Sequence, residues 1–236
     1  MSSRTGREAE QAGSQIATGF FITFEGPEGG GKSTQLTHLA ARLEAAGLPV
    51  TTTREPGGTP AAERIREVLL DPNSGSLRPE TEAFLVCAAR SEHVARVIRP
   101  ALASGQVVLC DRFADATLAY QGYGGGVPLA LLDRMIMLAT DGLEPGLTLL
   151  LDLPVEVGLA RRRHTGIQWT RLDAASEEFH QKVRHGYHVL ARKAPARWVT
   201  VDAARKPEAV AAAVWAAVAE RLAEARPALS GPGRTA

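Results

Sequence analysis

The chain has 236 residues, 44% hydrophobic and 22% charged, enough for one medium-sized core and too few for two large domains. Its 27 basic and 26 acidic residues leave a formal charge of +1, which excludes a broadly basic nucleic-acid surface. Of the basic residues 23 are Arg and 4 are Lys, a bias that suits bidentate phosphate recognition and equally suits an Arg-favouring codon usage.

Residues 1–18 are polar and mixed in charge, without the apolar segment of a signal peptide, and are expected to form a disordered extension. Order is expected from Gly19, with the apolar run FFITFE (20–25) as a first strand. A Gly-rich turn follows, then a helical pattern over about 32–46 stopped by Gly47. LPVTTT (48–53) reads as a second strand, REPGGT (54–59) as a turn and 60–70 as a helix, which DPNSGSLRPE breaks. A long helical stretch covers about 80–104, and QVVLCD (106–111) has the pattern of a buried strand ending in Asp. Helical segments follow at about 115–121 and 127–140, then the buried strand LTLLLDL (147–153) and a helix running into three arginines at 161–163. A helix over about 175–194, the strand RWVTVDA (197–203) and an Ala-rich helix over 207–224 complete the pattern, and 226–236 reads as a flexible tail. Short, nearly all-apolar strands alternating with helices predict a parallel sheet covered on both faces: one three-layer α/β domain over 19–225.

The chemistry starts at GPEGGGKST (26–34), which matches G-x-x-x-x-G-K-S/T between a strand and a helix. Gly26, Pro27, Glu28, Gly29, Gly30, Gly31, Lys32, Ser33 and Thr34 are therefore expected to hold the phosphates of a nucleoside triphosphate, which the resemblance described below implies is ATP. The glycines let backbone N–H groups wrap phosphate oxygens, and the helix N-terminus adds partial positive charge. Lys32 reaches the β- and γ-phosphates, and the Ser33 hydroxyl is placed for Mg²⁺. Asp111, ending a strand, is the candidate companion acid for the metal, preferred over Asp152 because Arg112 follows it directly. This loop alone leaves GTPase, ATPase, motor and kinase open, although no N-K-x-D guanine reader is present.

The segments FEGPEGGGKST, TREPGGT, DRFADATLAYQGYGGG and LDLPVEVGLARRR, in that order, resemble the thymidylate kinases over about 19–224. The resemblance implies a P-loop kinase fold with five parallel strands ordered 2-3-1-4-5, an Arg-rich lid, and a cytoplasmic homodimer with neither a nucleic-acid nor a membrane partner. It implies transfer of the ATP γ-phosphoryl group to dTMP with Mg²⁺, in dTTP biosynthesis. Arg54 matches the arginine that grips the acceptor phosphate, and Arg90 the arginine that reads the thymine ring. Val86 stands one helical turn before Arg90, where many relatives carry a stacking Phe, with Phe84 nearby. Arg112 matches the arginine at the transferring group. Thr117 and Gln121 match positions facing the pyrimidine, and Tyr120 the tyrosine that crowds the sugar 2′ position. Ala116 stands where Ser is frequent, and Glu28 matches an acid near the acceptor 3′-hydroxyl.

The loop carries no arginine, so transition-state charge is expected from the lid at 161–172, RRRHTGIQWTRL. Among Arg161, Arg162, Arg163 and Arg171, Arg163 is assigned to the phosphates and Arg161 to adenine. Thr165 stands where an Arg is frequent, and Gln168 and Trp169 lengthen the lid. The resemblance leaves two rivals. One is a kinase of a different nucleotide or of a free nucleoside, for which Glu25 would be the base; the other is a non-catalytic nucleotide sensor. The six histidines show no metal spacing and are expected at the surface. Cys87 and Cys110 suit a reducing compartment, and no apolar run approaches the ~18 residues of a membrane span.

Overall fold

The computed structural model describes residues 19–164, 166 and 169–225. The stretches 1–18 and 226–236, and Thr165, Ile167 and Gln168 of the expected lid, lie outside the described residues. The strands are β1 (Phe20–Glu25), β2 (Val50–Arg54), β3 (Val107–Asp111), β4 (Leu147–Asp152) and β5 (Trp198–Asp202). They pair in parallel throughout, in the order β2-β3-β1-β4-β5. The helices are α1 (Lys32–Ala45), α2 (Pro60–Leu70), α3 (Pro79–His93), α4 (Arg99–Ala103), α5 (Ala114–Thr117), α6 (Leu129–Thr140), α7 (Val155–Arg163), α8 (Glu177–Lys193) and α9 (Pro207–Ala225).

Side chains alternate across the sheet, and each face has its own helical cover. Ile22, Phe24, Leu109 and Leu149 pack with Leu39 and Leu43 of α1 and Val214 and Val218 of α9. On the other face Phe21 and Val108 meet Val94, Ile98 and Ala101, while Leu150 meets Val183, Tyr187 and Leu190 of α8. These are the three layers the apolar strands called for.

Two helices differ from the sequence pattern in a way that matters for the site. The stretch expected over 80–104 is α3 and α4 joined by a widened, π-type turn at Val94–Ile98. Pro100 has no N–H for the Arg96 carbonyl, and its ring crowds that group, so the turn before it opens. The segment expected over 115–121 is short α5 running into a second widened turn, Leu118–Gly124, which carries Tyr120 and Gln121.

In a parallel sheet all strands end on one edge, and ligands bind there. That edge carries Glu25, Arg54, Asp111 and Asp152, each the last residue of its strand. Its rigidity depends on the core beneath it. Leu149 is fully buried in β4, and Leu149→Ala is expected to cost about 2–5 kcal/mol of stability. A lower urea midpoint at unchanged m-value is the measurement that checks this.

Candidate active site

The loop between β1 and α1 closes around one ammonium group. Lys32 Nζ donates to the carbonyls of Gly26 at 3.1 Å and Pro27 at 2.8 Å. Gly29 has φ 69°, and a Cβ there would run into the Gly158 carbonyl of α7, so loop and helix touch backbone to backbone. No side chain caps the start of α1, which leaves its first N–H groups facing the loop. Burial lowers the Lys32 pKa, as does the Arg112 charge, against the pull of Glu28, Asp111 and Glu25. Next to it the Ser33 hydroxyl donates to Asp111 Oδ2 at 2.6 Å. Asp152 is occupied elsewhere: Arg184 grips both its oxygens at 2.8 and 2.9 Å, and His188 lies 3.2 Å away.

Arg112 is held more firmly than its neighbours. Its backbone has φ 69°, a conformation that costs a non-glycine residue about 1–3 kcal/mol. The guanidinium repays that strain through contacts to Glu28 Oε1 at 2.8 Å, the Gly26 carbonyl at 3.1 Å and the Tyr187 hydroxyl at 3.0 Å. It also lies 4.8 Å from the Tyr120 ring centre. Tyr120 donates to the same Glu28 oxygen at 2.7 Å. Burial by itself would raise the Glu28 carboxyl, but the charges of Arg112 and Lys32 and the Tyr120 hydroxyl win and hold it at about 2. The acid in the loop therefore has the partner that its place beside a triphosphate requires.

Glu25 lies beneath this group and does not border the cavity. It accepts from the Phe113 N–H and from the Tyr187 hydroxyl, both at 2.8 Å. Burial, reinforced by the Asp115 charge, pushes it up to about 8. It braces Tyr187, and through it Arg112, which removes it as a base for a free nucleoside.

The opposite wall is built from the turn after β2 and from α2 and α3. Arg54 forms a fork on Glu63 at 3.1 and 2.8 Å, and Glu63 also accepts the Gly58 N–H at 2.8 Å. Arg66 of α2 donates to the Pro56 carbonyl at 3.0 Å, and burial together with the Arg54 charge lowers its pKa. Arg90 is buried, bonded through Nε to Glu55 at 2.7 Å and through Nη2 to the Phe113 carbonyl at 3.0 Å. Gln121 donates to Glu82 at 2.9 Å.

The arginines expected in a lid divide. Arg161 donates to the carbonyls of Ala203 and Ala204 at 2.7 and 3.1 Å, and Arg162 grips Asp173 at 3.1 and 2.8 Å. Arg163 lies 5.7 Å from the Trp169 ring. Arg171 crosses to the far wall, meeting Glu82 at 2.7 Å and the Leu69 carbonyl at 3.1 and 3.0 Å.

The family model for thymidylate kinase matches residues 24–214. The chain is 56% identical over 207 residues to a thymidylate kinase of Thermomicrobium roseum, covering 88% of this chain and 98% of that one. It is 51% identical over 206 residues to a thymidylate kinase of Deinococcus radiodurans, covering 87% and 99%. The crystal structure of thymidylate kinase from Ehrlichia chaffeensis superimposes with a TM-score of 0.69 at 33% identity, covering 85% of this chain and 99% of that one. The chain belongs to the thymidylate kinase family.

In this thymidylate kinase a single cavity of about 550 Å³ collects most of the residues singled out from the sequence. Residues 28–34, Arg54, Val86, Arg90, Asp111, Arg112, Thr117, Tyr120, Gln121 and Arg161 all border it. Gly26 and Pro27 meet Lys32 from behind, and Arg163 is not brought to the cavity, where Arg162 stands instead. Phe84 is 65% exposed and Val86 alone of the two faces the cavity. Glu55 and Arg66 are on the wall and were not singled out. Glu55 had a signal, an acid inside REPGG; Arg66 had only its place one turn after Glu63. Two histidines expected at the surface are buried, His93 and His180. Among the described residues no His, Cys, Asp and Glu cluster has the form of a metal site.

The Glu28 carboxyl lies below its ordinary value of 4.5, so its pairing stabilises the fold above that pH and loses this as pH falls towards about 2. Glu28→Gln is therefore expected to be less stable than the wild type at neutral pH, with the gap closing in acid. Urea midpoints of both proteins between pH 7 and pH 3 check this.

Proposed function

We infer that phosphorylation of dTMP by ATP, the activity that family membership gives this chain, is divided between the two walls of that cavity. What carries the division is that Lys32, Ser33 and Asp111 border the same cavity as Arg54, Arg66 and Arg90. Two anionic ligands need two cationic ends, and one cavity offers both. The loop backbone and Lys32 hold the ATP phosphates, and Arg54, with Arg66 beside it, holds the dTMP phosphate. Arg90, Val86, Thr117 and Gln121 receive the base, Tyr120 the sugar, and Glu28 the 3′-hydroxyl.

A bond forms between a dTMP phosphate oxygen and the γ-phosphorus, while the bond to the β,γ-bridging oxygen breaks and ADP leaves. The acceptor oxygen is already anionic, so no protein nucleophile or general base is required. Rate enhancement comes from alignment and from charge held in place before reaction. Arg112 suits that role, since Glu28, Gly26 and Tyr187 fix its guanidinium. Arg161 and Arg162 border the cavity, so the phosphate-side role expected of Arg163 passes to Arg162. Ser33 and Asp111 form an all-oxygen pair 2.6 Å apart, a donor set that suits Mg²⁺, and they would hold it. Bound there, Mg²⁺ neutralises charge on the phosphates.

We further propose that residues 19–225 form the catalytic domain, with 161–172 as lid, in a cytoplasmic homodimer. Exposed apolar side chains on neighbouring helices support the dimer: Phe84 of α3, and Leu131, Met137 and Leu138 of α6. Two free, buried cysteines support a reducing compartment, and no described helix is long and apolar enough to cross a membrane.

With ATP and Mg²⁺ supplied, ADP release is expected with dTMP well above dUMP, dCMP, dGMP, AMP and thymidine. Lys32→Ala is expected to lower kcat by about 10²-fold or more while the circular dichroism spectrum is kept. A different preferred acceptor overturns the assignment, and retained turnover in Lys32→Ala overturns the loop's role. Leu138→Asp, 85% exposed in the subunit, is expected to convert dimers to monomers in light scattering.

A further inference from the structure

Arg54 and Glu55 are consecutive at the end of β2, so their side chains leave on opposite sides of the strand. Arg54 turns to the cavity mouth and Glu63. Glu55 turns inward and is buried, bringing a carboxylate into the layer between sheet and α3. Each of its oxygens has one donor: Arg90 Nε on Oε2 at 2.7 Å, and His93 Nδ1 on Oε1 at 3.0 Å. A carboxylate only accepts, so His93 carries its proton on Nδ1. Its Nε2 pairs with the Thr53 hydroxyl at 2.6 Å, back on β2. His93 is fully buried and fills the space where a Cβ on Gly58 would have to go. Thr53, His93, Glu55 and Arg90 thus form one hydrogen-bonded chain from the strand to the cavity wall.

The chain leaves Arg90 with a single orientation. Nε is spent on Glu55 and Nη2 on the Phe113 carbonyl, while Nη1 is buried without a hydrogen-bond partner among the described residues, and Arg90 as a whole borders the cavity. A guanidinium only donates, so the Arg90 head at the cavity wall can pair with a base carbonyl and cannot pair with an amino group. What keeps it there is the division of Glu55. Without the His93 donor, both carboxylate oxygens are free to fork onto Nε and Nη2 of Arg90. That fork draws Nη2 off Phe113 and moves Nη1 with it.

We propose that Glu55 and His93 are positioning residues for acceptor specificity: His93 holds one oxygen of Glu55 so that Arg90 presents its guanidinium to a pyrimidine carbonyl and rejects a pyrimidine amino group. The proposal rests on the assignment of Arg90 to the base. It also makes the turn after β2 a ruler, since adjacent residues set the phosphate-binding arginine and the base-reading arginine.

Steady-state kinetics with dTMP and dCMP at varied ATP test it, on His93→Asn, His93→Gln, His93→Leu and Arg90→Lys. An Asn amide sits where Nδ1 sits and keeps the Glu55 contact; a Gln amide reaches the Nε2 position and keeps only the Thr53 contact. Gln and Leu are expected to lower kcat/KM for dTMP by about tenfold, mainly through KM, and to shrink the dTMP-over-dCMP preference. KM for ATP is expected to stay unchanged, and Asn to restore the preference. If Arg90→Lys loses the preference while folded Gln and Leu variants keep it, the positioning role is overturned and the base reader stands. If Asn and Gln fall alike and KM for ATP rises with them, His93 supports the fold only, and the proposal is overturned. If Arg90→Lys keeps the preference, the base assignment fails and takes the proposal with it.

Discussion

A charge taken out of water must meet its opposite, and that constraint organises this site more than any single motif. The edge of the sheet gathers an unusual density of ionised groups, and nearly every buried one is matched. Glu28 meets Arg112, Glu55 meets Arg90 and His93, Asp115 meets Arg197, and Asp173 meets Arg162. Each pair fixes two side chains at once, so the ligands meet groups whose positions are already set. Strain is tolerated for the same reason: Arg112 keeps a left-handed backbone because four contacts hold its side chain.

Pairing also separates groups that look alike in sequence. Asp111 and Asp152 both end apolar strands and both stand at the ligand edge. Arg184 and His188 from α8 claim Asp152, whereas among the described residues the Asp111 carboxylate meets the Ser33 hydroxyl. Glu25 and Glu28 are three residues apart, yet burial lifts one to about 8 while Arg112 drives the other to about 2. Identical side-chain chemistry therefore yields a brace in one case and a cavity-facing carboxylate in the other.

Much of this was legible in the chain. Apolar runs placed four of the strands and the Thr-rich LPVTTT the other, and the glycines at 26–31 placed the loop, because period and backbone freedom are local properties. Arg54, Arg90 and Arg112 were marked by motifs that also place them on the cavity. Less legible were features that depend on a partner far along the chain. His93 gave no sign that Glu55, 38 residues earlier, would bury it. Among the arginines at 161–163 the sequence pointed to Arg161 and Arg163, whereas Arg161 and Arg162 border the cavity, held by Ala203 and Asp173. The two widened turns were hidden as well, although Pro100 marked one of them.

The sequence by itself determined the layered fold, the phosphate loop and the family, because each is written in short-range pattern: alternation, spacing and glycine placement. Only the tertiary structure decided which acids are paired, which arginine keeps an open donor and which histidines are inside. Those outcomes depend on distance and burial between residues tens of positions apart, and electrostatic energy in a low-dielectric interior varies steeply with both. The surplus of arginine over lysine was visible from the start as composition. The fold gave a share of it meaning, by assigning particular guanidinium groups to particular carboxylates.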